Sequence, residues 1–265
     1  MEIKYIDIHS HLGFEDYGQD LKEVIKRMEE SGVSTITTGT DIESSREAVK
    51  IANENENIFA CIGAHPNDKK DFVFNESDFE ELVKNPKVVA IGECGLDYFR
   101  MTGDVEAERI RQQKEFIKQI EFSIKYNKPL MLHIRDAYEE AYEILRKYEG
   151  KARGNMHFFA GSLEWAKKFI DLGFTISFTG VITFPIKNDA CPADLVRREI
   201  IKNIPLDKIH AETDAPYVAP IPYRGKRNEP AYVVEVVKKI AEIRGEDFEK
   251  VRLQLLENVK RAFDM

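Results

Sequence analysis

The chain has 265 residues, of which 43% are hydrophobic and 32% are charged, and it carries a formal net charge of -8 at pH 7. This length and composition predict one domain with a sizeable core, and no apolar run approaches the ~18 residues of a membrane helix. The acidic balance excludes a passive, charge-driven coat for nucleic acid, although it allows an enzyme that meets a phosphodiester through a metal and a few arginines.

Short apolar segments alternate with longer amphipathic segments from one end of the chain to the other. Eight strand-like segments are each followed by helical periodicity, at about 30 residues per unit, without a linker or a shift in composition. The predicted strands lie at residues 3–6, 33–37, 58–63, 88–92, 130–133, 155–158, 174–178 and 209–212. The predicted helices lie at residues 21–30, 41–52, 77–86, 105–126, 137–148, 163–171, 193–202, 231–243 and 248–263.

This alternation predicts an α/β fold, and a single-domain (β/α)8 TIM-type barrel over residues 1–265 is the most economical arrangement. A doubly wound open sheet is the alternative, but no glycine-rich phosphate fingerprint follows the first strand. In (β/α)8 barrels the active site lies at the C-terminal ends of the strands, so ionisable residues at those positions are the candidates for function.

Five of the six histidines stand at predicted strand ends. Alternate residues of a strand share a face, so His9 and His11 are expected to point the same way, and neutral imidazole suits zinc, iron, manganese and similar ions. The ionisable residues at the strand ends are His9, His11, His65, Glu93, His133, His157 and Asp214. One such histidine is more often structural, whereas the whole set favours a metal site.

Six of these side chains are predicted to be metal ligands, namely His9, His11, Glu93, His133, His157 and Asp214. Six ligands of mixed nitrogen and oxygen type exceed what one tetrahedral ion takes, so they predict two ions with Glu93 as the bridge. Such a pair activates water and stabilises the attacking and leaving oxygens of an ester. Glu93 and Asp214 are the predicted catalytic residues, with Asp214 orienting or deprotonating the water.

A set of motifs spans nearly the whole chain. They are Asp7-x-His9-x-His11, Gly63-x-His65-Pro66, residues 91–98, Gln113 with Phe116, residues 129–137, His157-x-Phe159-x-Gly161, residues 212–216 and residues 224–230. In this order and spacing they resemble the TatD family of metal-dependent deoxyribonucleases, within the amidohydrolase-like barrels. The resemblance implies a barrel hydrolase that cuts DNA phosphodiesters, typically as an exonuclease that needs a divalent metal.

Carried over residue by residue, the resemblance implies that the six predicted ligands are the family's metal ligands. It also implies that His65 lies beside the substrate phosphate and that Arg135 stands next to a ligand histidine, and both are expected to bind and neutralise the phosphate. Arg224 and Arg227, in a basic cluster after the eighth strand, are further candidate phosphate contacts; the alternative is that they tie the loop down by salt bridges.

Three other polar residues have expected supporting or structural roles. Glu212 is expected to orient a ligand through a hydrogen bond, since an unpaired acid on a buried strand would cost too much free energy. Asp97 supports the ligands in the same way or caps a loop. His210 is expected to be a hydrogen-bonded core histidine rather than a ligand.

The predicted function is therefore hydrolysis of DNA phosphodiesters, as an exonuclease, by metal-activated water at a two-metal site. The expected cofactors are two divalent ions (magnesium, manganese, zinc or similar), and the expected partner is single-stranded DNA or a DNA end, without a membrane. A cytoplasmic location is expected, because the N-terminus shows no signal peptide and the three cysteines, Cys61, Cys94 and Cys191, are odd in number and have no metal-type spacing. A monomer is also expected.

Two alternative functions remain open from the sequence. An amidohydrolase or esterase acting on a small molecule or on an aminoacyl-tRNA ester would use the same metal pair for attack on a carbonyl. A metal-dependent binding protein without activity would keep the ligands in a site that is closed to substrate.

Overall fold

The computed structural model describes residues 2–67, 73–99, 101–185 and 192–265, so the prediction for Cys191 lies outside the described residues. Eight parallel strands form one sheet in sequence order. The strands are Tyr5–Ser10 (β1), Val33–Thr38 (β2), Ile58–Ile62 (β3), Val88–Asp97 (β4), Leu130–Arg135 (β5), Gly154–His157 (β6), Phe174–Phe178 (β7) and Ile209–Ala211 (β8). The α-helices are Leu21–Glu30 (α1), Ile42–Glu54 (α2), Glu76–Val83 (α3), Val105–Lys125 (α4), Tyr138–Leu145 (α5), Leu163–Asp171 (α6), Pro192–Asn203 (α7), Val233–Arg244 (α8) and Phe248–Phe263 (α9).

Backbone hydrogen bonds join β1 to the segment that follows β8. The amide of Asp214 donates to the carbonyl of His9 at 2.9 Å, and the amide of His11 donates to the carbonyl of Ala215 at 2.8 Å. An isolated parallel bridge between Ser10 and Ala215 completes the contact. The sheet thus closes on itself, which confirms the predicted (β/α)8 barrel and rules out the open sheet.

Both faces of the strands are buried, one against the helices and the other in the interior of the barrel. A large cluster fills the space between strands and helices, to which the amphipathic α1 contributes Val24 and Met28. A smaller cluster combines side chains from β1 to β5 with Val259 and Phe263 of α9, so the last helix covers the N-terminal end of the barrel. Among the described residues, no helix is both long enough and apolar enough to cross a membrane.

β4 is longer than predicted, and this changes where Glu93 stands. The prediction ended the strand at residue 92, whereas the observed strand runs to Asp97 and contains Glu93 in its middle. Its register to β5 shifts between Ile91 and Cys94. Gly95 has φ +144°, and a Cβ there would lie 2.1 Å from the carbonyl oxygen of His133, so only glycine lets β4 continue this close to β5.

Candidate metal centre

His9, near the end of β1, and His11, which follows the strand, converge on one point. Their Nε2 atoms are 3.1 Å apart, and both side chains are buried. The Nδ1 atom of His11 lies 2.9 Å from the carbonyl oxygen of Thr38 and donates to it, so the Nε2 atom faces the site. Two ring nitrogens held this close are arranged as ligands of a shared cation would be.

Glu93 lies between two groups of histidines. Its Oε2 atom is 3.4 Å from Nε2 of His9 and 3.8 Å from Nε2 of His11. Its Oε1 atom is 2.7 Å from Nδ1 of His133, 3.7 Å from Nε2 of His157 and 3.8 Å from Nε2 of His65. Because each carboxylate oxygen faces a different group, this geometry is what a bridging ligand requires.

Asp214 follows β8 and faces the same point. Its Oδ1 atom lies 3.5 Å from Nε2 of His11, 3.8 Å from Nε2 of His157 and 3.9 Å from Nε2 of His9. Burial alone would raise the pKa of this carboxyl, but the hydrogen bond from His11 and the charges of His157 and His9 lower it overall. Asp214 is therefore a carboxylate at neutral pH, able to ligate a cation or accept a proton.

Two carboxylates behind the centre orient its histidines. Oδ2 of Asp97 lies 3.2 Å from Nε2 of His133, and Oε2 of Glu212 lies 3.0 Å from Nδ1 of His157. Glu212 is fully buried, and its other oxygen accepts the amide of Phe158 at 2.6 Å. Both acids occupy the positions expected of residues that hold ligand rings in place.

The charges of the centre are set by burial and by mutual contact. Burial raises the pKa of Glu93, but its histidine neighbours outweigh this effect and hold the pKa well below its usual range. Burial lowers the pKa of His9 to about 4, so that ring is neutral at pH 7. Nearby carboxylates overcome burial and raise the pKa of His133 to about 9 and of His157 to about 10. A cation that binds here must displace protons from the last two rings.

The donor set fits divalent metal ions. Among the described residues, three overlapping groups have ligand atoms within 4.8 Å of one another. The groups are His9 with His11 and Glu93, His9 with His157 and Asp214, and His65 with Glu93 and His133. Mixed imidazole and carboxylate donors suit first-row transition metals and, more weakly, magnesium. All six predicted ligands lie in these groups, and His65 joins them as a seventh candidate.

A cavity of about 330 Å³ opens above the centre. Besides the ionisable residues it is lined by Phe14, Thr40, Phe158 and Tyr217, which sequence reasoning did not select. Each of them follows the end of a strand, so the same positional signal applies, but their residue types carry no metal chemistry that would single them out. The Phe14 ring stacks on His11 with ring centres 4.5 Å apart.

The three arginines predicted to bind substrate have different positions relative to the cavity. Arg135 lines the cavity, is exposed, and its guanidinium lies 3.7 Å from the centre of the Phe99 ring. Arg224 lies over the ring of Phe184 at 4.2 Å and does not line the cavity. Arg227 donates two hydrogen bonds to Asp20, at 2.7 and 2.6 Å, which favours the alternative that it ties the loop down.

His210 lies apart from the centre. It is fully buried on β8, and its ring meets the ring of Phe263 from α9 edge-on, with centres 5.9 Å apart. Neither ring nitrogen has a hydrogen-bond partner among the described residues. The core position agrees with the prediction, whereas the predicted hydrogen bond is wrong, because the last helix presents an aromatic ring to this histidine.

The barrel and its centre define a class of protein: (β/α)8 hydrolases whose strand ends carry clustered histidine and carboxylate ligands. The family model described as TatD related DNase matches residues 6–264, and the chain belongs to the TatD family of metal-dependent hydrolases. This confirms the resemblance inferred from the motifs.

Known relatives and solved structures are similar to this chain along nearly its full length. The chain is 39% identical over 262 residues to the uncharacterized metal-dependent hydrolase YabD of Bacillus subtilis, covering 97% of this chain and 98% of that protein. It is 32% identical over 264 residues to the 3'-5' ssDNA/RNA exonuclease TatD of Shigella flexneri, covering 97% and 98%. The crystal structure of the TatD homolog YjjV from Escherichia coli superimposes with a TM-score of 0.88 at 27% identity, covering 100% of both chains.

Replacing Glu212 with Gln is expected to weaken metal binding about 10- to 100-fold, because Glu212 holds both the ring of His157 and the amide of Phe158. Competition with a chelator of known affinity measures the effect. Glu164→Gln, at a side chain 75% exposed on α6, is the matched control. Equal metal affinity in Glu212→Gln and the wild type would contradict the orienting role.

Arg135→Ala and Arg227→Ala are expected to have different effects. Loss of Arg135 should raise KM for the substrate about tenfold with little change in stability, because this exposed guanidinium reaches the cavity. Loss of Arg227 should lower the melting temperature and leave KM unchanged, because its partners are Asp20 and Glu229. Steady-state kinetics and thermal denaturation of both variants test this, and the reverse pattern would exchange the two assignments.

Proposed function

We propose that this protein is a metal-dependent nuclease that removes nucleotides from an end of single-stranded DNA. The observation that carries the proposal is the position of the Glu93 carboxylate between two groups of histidines. One of its oxygens faces His9 and His11, and the other faces His133, His157 and His65. Two adjacent divalent ions, when bound, lower the pKa of water and neutralise the charge that develops on a phosphodiester. The name of the Shigella relative, a 3'-5' ssDNA/RNA exonuclease, supports this choice of substrate and a 3′ end.

The residues of the chain have separate tasks in this proposal. Asp214, ionised at neutral pH, accepts the proton of the attacking water. Arg135 at the cavity mouth donates hydrogen bonds to the phosphate oxygens and neutralises their charge. His65 either contacts the same phosphate or completes the ligand set, since its Nε2 atom lies 3.8 Å from Oε1 of Glu93, close to the 3.7 Å of the His157 Nε2 atom.

Aromatic side chains at the mouth favour a substrate with unpaired bases. Phe99 and Tyr217 lie beside the cavity and are 47% and 51% exposed. Half-exposed aromatic rings beside a polar centre offer faces on which bases stack without regard to sequence. Duplex DNA hides these base faces, so a single strand makes better use of this surface.

The proposal is tested by nucleotide release from end-labelled single-stranded DNA. Metal-stripped protein is assayed with magnesium, manganese and zinc added back separately, and the expected result is release that requires metal and starts from the 3′ end. Absence of release with every metal, from protein shown to bind two ions, would reject the nuclease. A panel of carboxylic esters, including an aminoacyl-tRNA, would then be assayed for attack on a carbonyl instead.

A further inference from the structure

A second, smaller cavity adjoins the metal centre between the ends of β5 and β6. It has a volume of about 210 Å³ and is lined by His133, Ile134, Arg135, His157, Phe158, Ala160 and Arg197. His133, Arg135, His157 and Phe158 also line the cavity above the centre, so the two spaces share one boundary. Pockets for whole small ligands measure roughly 300–1,000 Å³, so this one suits a single planar ring system that belongs to a larger ligand.

The lining of the small cavity combines apolar surface with cationic donors. Phe158 and Ile134 provide the apolar part, and Ala160, with its minimal side chain, leaves the space open. Arg135 and Arg197 bring guanidinium groups, which donate hydrogen bonds and accept none. Aromatic carbons together with guanidinium donors match a nucleobase, which has a flat π-face and acceptor atoms on its edge.

Phe158 is held in an uncommon backbone conformation at this boundary. Its φ is +44°, in the left-handed region that bulky residues rarely adopt. Its amide donates to Oε1 of Glu212 at 2.6 Å, while Oε2 of the same carboxylate holds the His157 ring at 3.0 Å. One buried acid therefore fixes a candidate ligand and the cavity residue together. Strained residues of this kind concentrate at ligand-binding sites.

We propose that the small cavity binds the base of the terminal nucleotide while the adjoining phosphate lies at the metal centre, with Phe158 as the stacking residue. This inference rests on the proposed nuclease function and deepens it. The base site predicts that the protein binds the terminal base as well as the phosphodiester, so that removal of this base weakens binding and hydrolysis. Because stacking and a few donors tolerate every base, the site discriminates weakly among the four bases.

The test uses oligonucleotides that differ only at one terminal residue, which carries either a base or an abasic sugar. With wild-type protein and metal, kcat/KM for release of the terminal residue is expected to be about tenfold higher with the base present, the effect of one stacked ring. The preference should appear at the end that is hydrolysed and not at the other. Anisotropy binding of the same oligonucleotides to metal-free protein, with a smaller but parallel preference expected, gives a readout independent of turnover.

Two variants address the cavity in opposite ways. Phe158→Leu removes the ring face and Ala160→Phe fills the space, and in both variants kcat/KM for the base-bearing end should fall to the value that the same variant shows for the abasic end. Phe59→Leu, at a half-buried ring at the other end of the barrel, is the matched control and should keep the preference. Thermal denaturation establishes that each variant is folded, and Ala160 is exposed, so a larger side chain there does not enter the core.

The possible outcomes test the base site and the nuclease activity separately. Equal hydrolysis of base-bearing and abasic ends by the wild type would overturn the base site and leave the nuclease standing. An equal loss on both ends in Phe158→Leu would also overturn it, because the residue would then only support the centre. Hydrolysis of neither end would reject the nuclease, and the base site with it.

Discussion

Glu93→Ala is expected to reduce metal-dependent hydrolysis at least a thousandfold and to leave protein that binds fewer ions. The carboxylate faces both groups of histidines, so its loss removes a ligand from each group at once. Stabilisation of developing charge by a metal pair is worth several kcal/mol, and each ~1.36 kcal/mol corresponds to a factor of ten in rate. Metal content by elemental analysis and turnover of single-stranded DNA measure the two effects separately.

The companion variant Glu93→Gln keeps the shape and removes the charge. A neutral amide leaves the positive charge of the surrounding histidines and ions uncompensated. The loss of activity in Glu93→Gln should therefore approach the loss in Glu93→Ala. Glu164→Ala on the surface of α6 serves as the control and should retain full activity and metal content. Full activity in Glu93→Ala would remove the bridging assignment and move the centre to a single ion.

The sequence could predict which side chains meet at the candidate metal centre because their chemistry and their positions coincide. Histidine and carboxylate side chains at successive strand ends must meet at one end of a parallel barrel, whatever the details of packing. The barrel itself follows from eight strand-helix units of about 30 residues each, without a long linker. Those two arguments need only local patterns, and the structure brings all six predicted ligands together.

The parts that could not be predicted depend on register and on distant partners. Arg227 binds Asp20, which is 207 positions away in the sequence, and no local sequence pattern predicts this ion pair. The prolongation of β4 beyond Gly92 depends on how closely β4 approaches β5. Glu212 hydrogen-bonds both the ring of His157 and the amide of Phe158, and Phe158 has a positive φ that an aromatic residue seldom has.

His210 gives the clearest case in which burial and polarity oppose each other. The side chain is fully buried near Phe263, and neither ring nitrogen has a partner among the described residues. Leaving buried polar atoms unsatisfied costs about 1–3 kcal/mol. Replacement by Leu, of similar size and without polar atoms, should therefore raise the free energy of unfolding at about pH 8 by an amount in that range.

The same substitution should also change how stability depends on pH. Burial, aided by the charge of Arg261, lowers the pKa of His210 to about 3, whereas the unfolded chain titrates near its ordinary value of 6.5. Between these values the unfolded state binds a proton that the folded state does not, so stability falls as the pH drops below about 6.5. Each pH unit in that window is worth ~1.36 kcal/mol for one group, so the advantage of His210→Leu over the wild type should grow by about 2 kcal/mol between pH 6.5 and about pH 5.

Denaturant unfolding of the wild type, His210→Leu and His210→Met across this pH range measures both effects. Because every other titrating group is common to the three proteins, the difference between their curves isolates His210. Metal content and turnover should be unchanged, since His210 belongs to none of the ligand groups. A His210→Leu protein that is less stable than the wild type at pH 8, with a gap that does not change on acidification, would mean that the histidine is hydrogen-bonded in the core after all. The isolation of its ring nitrogens by Phe263 and its neighbours predicts the opposite.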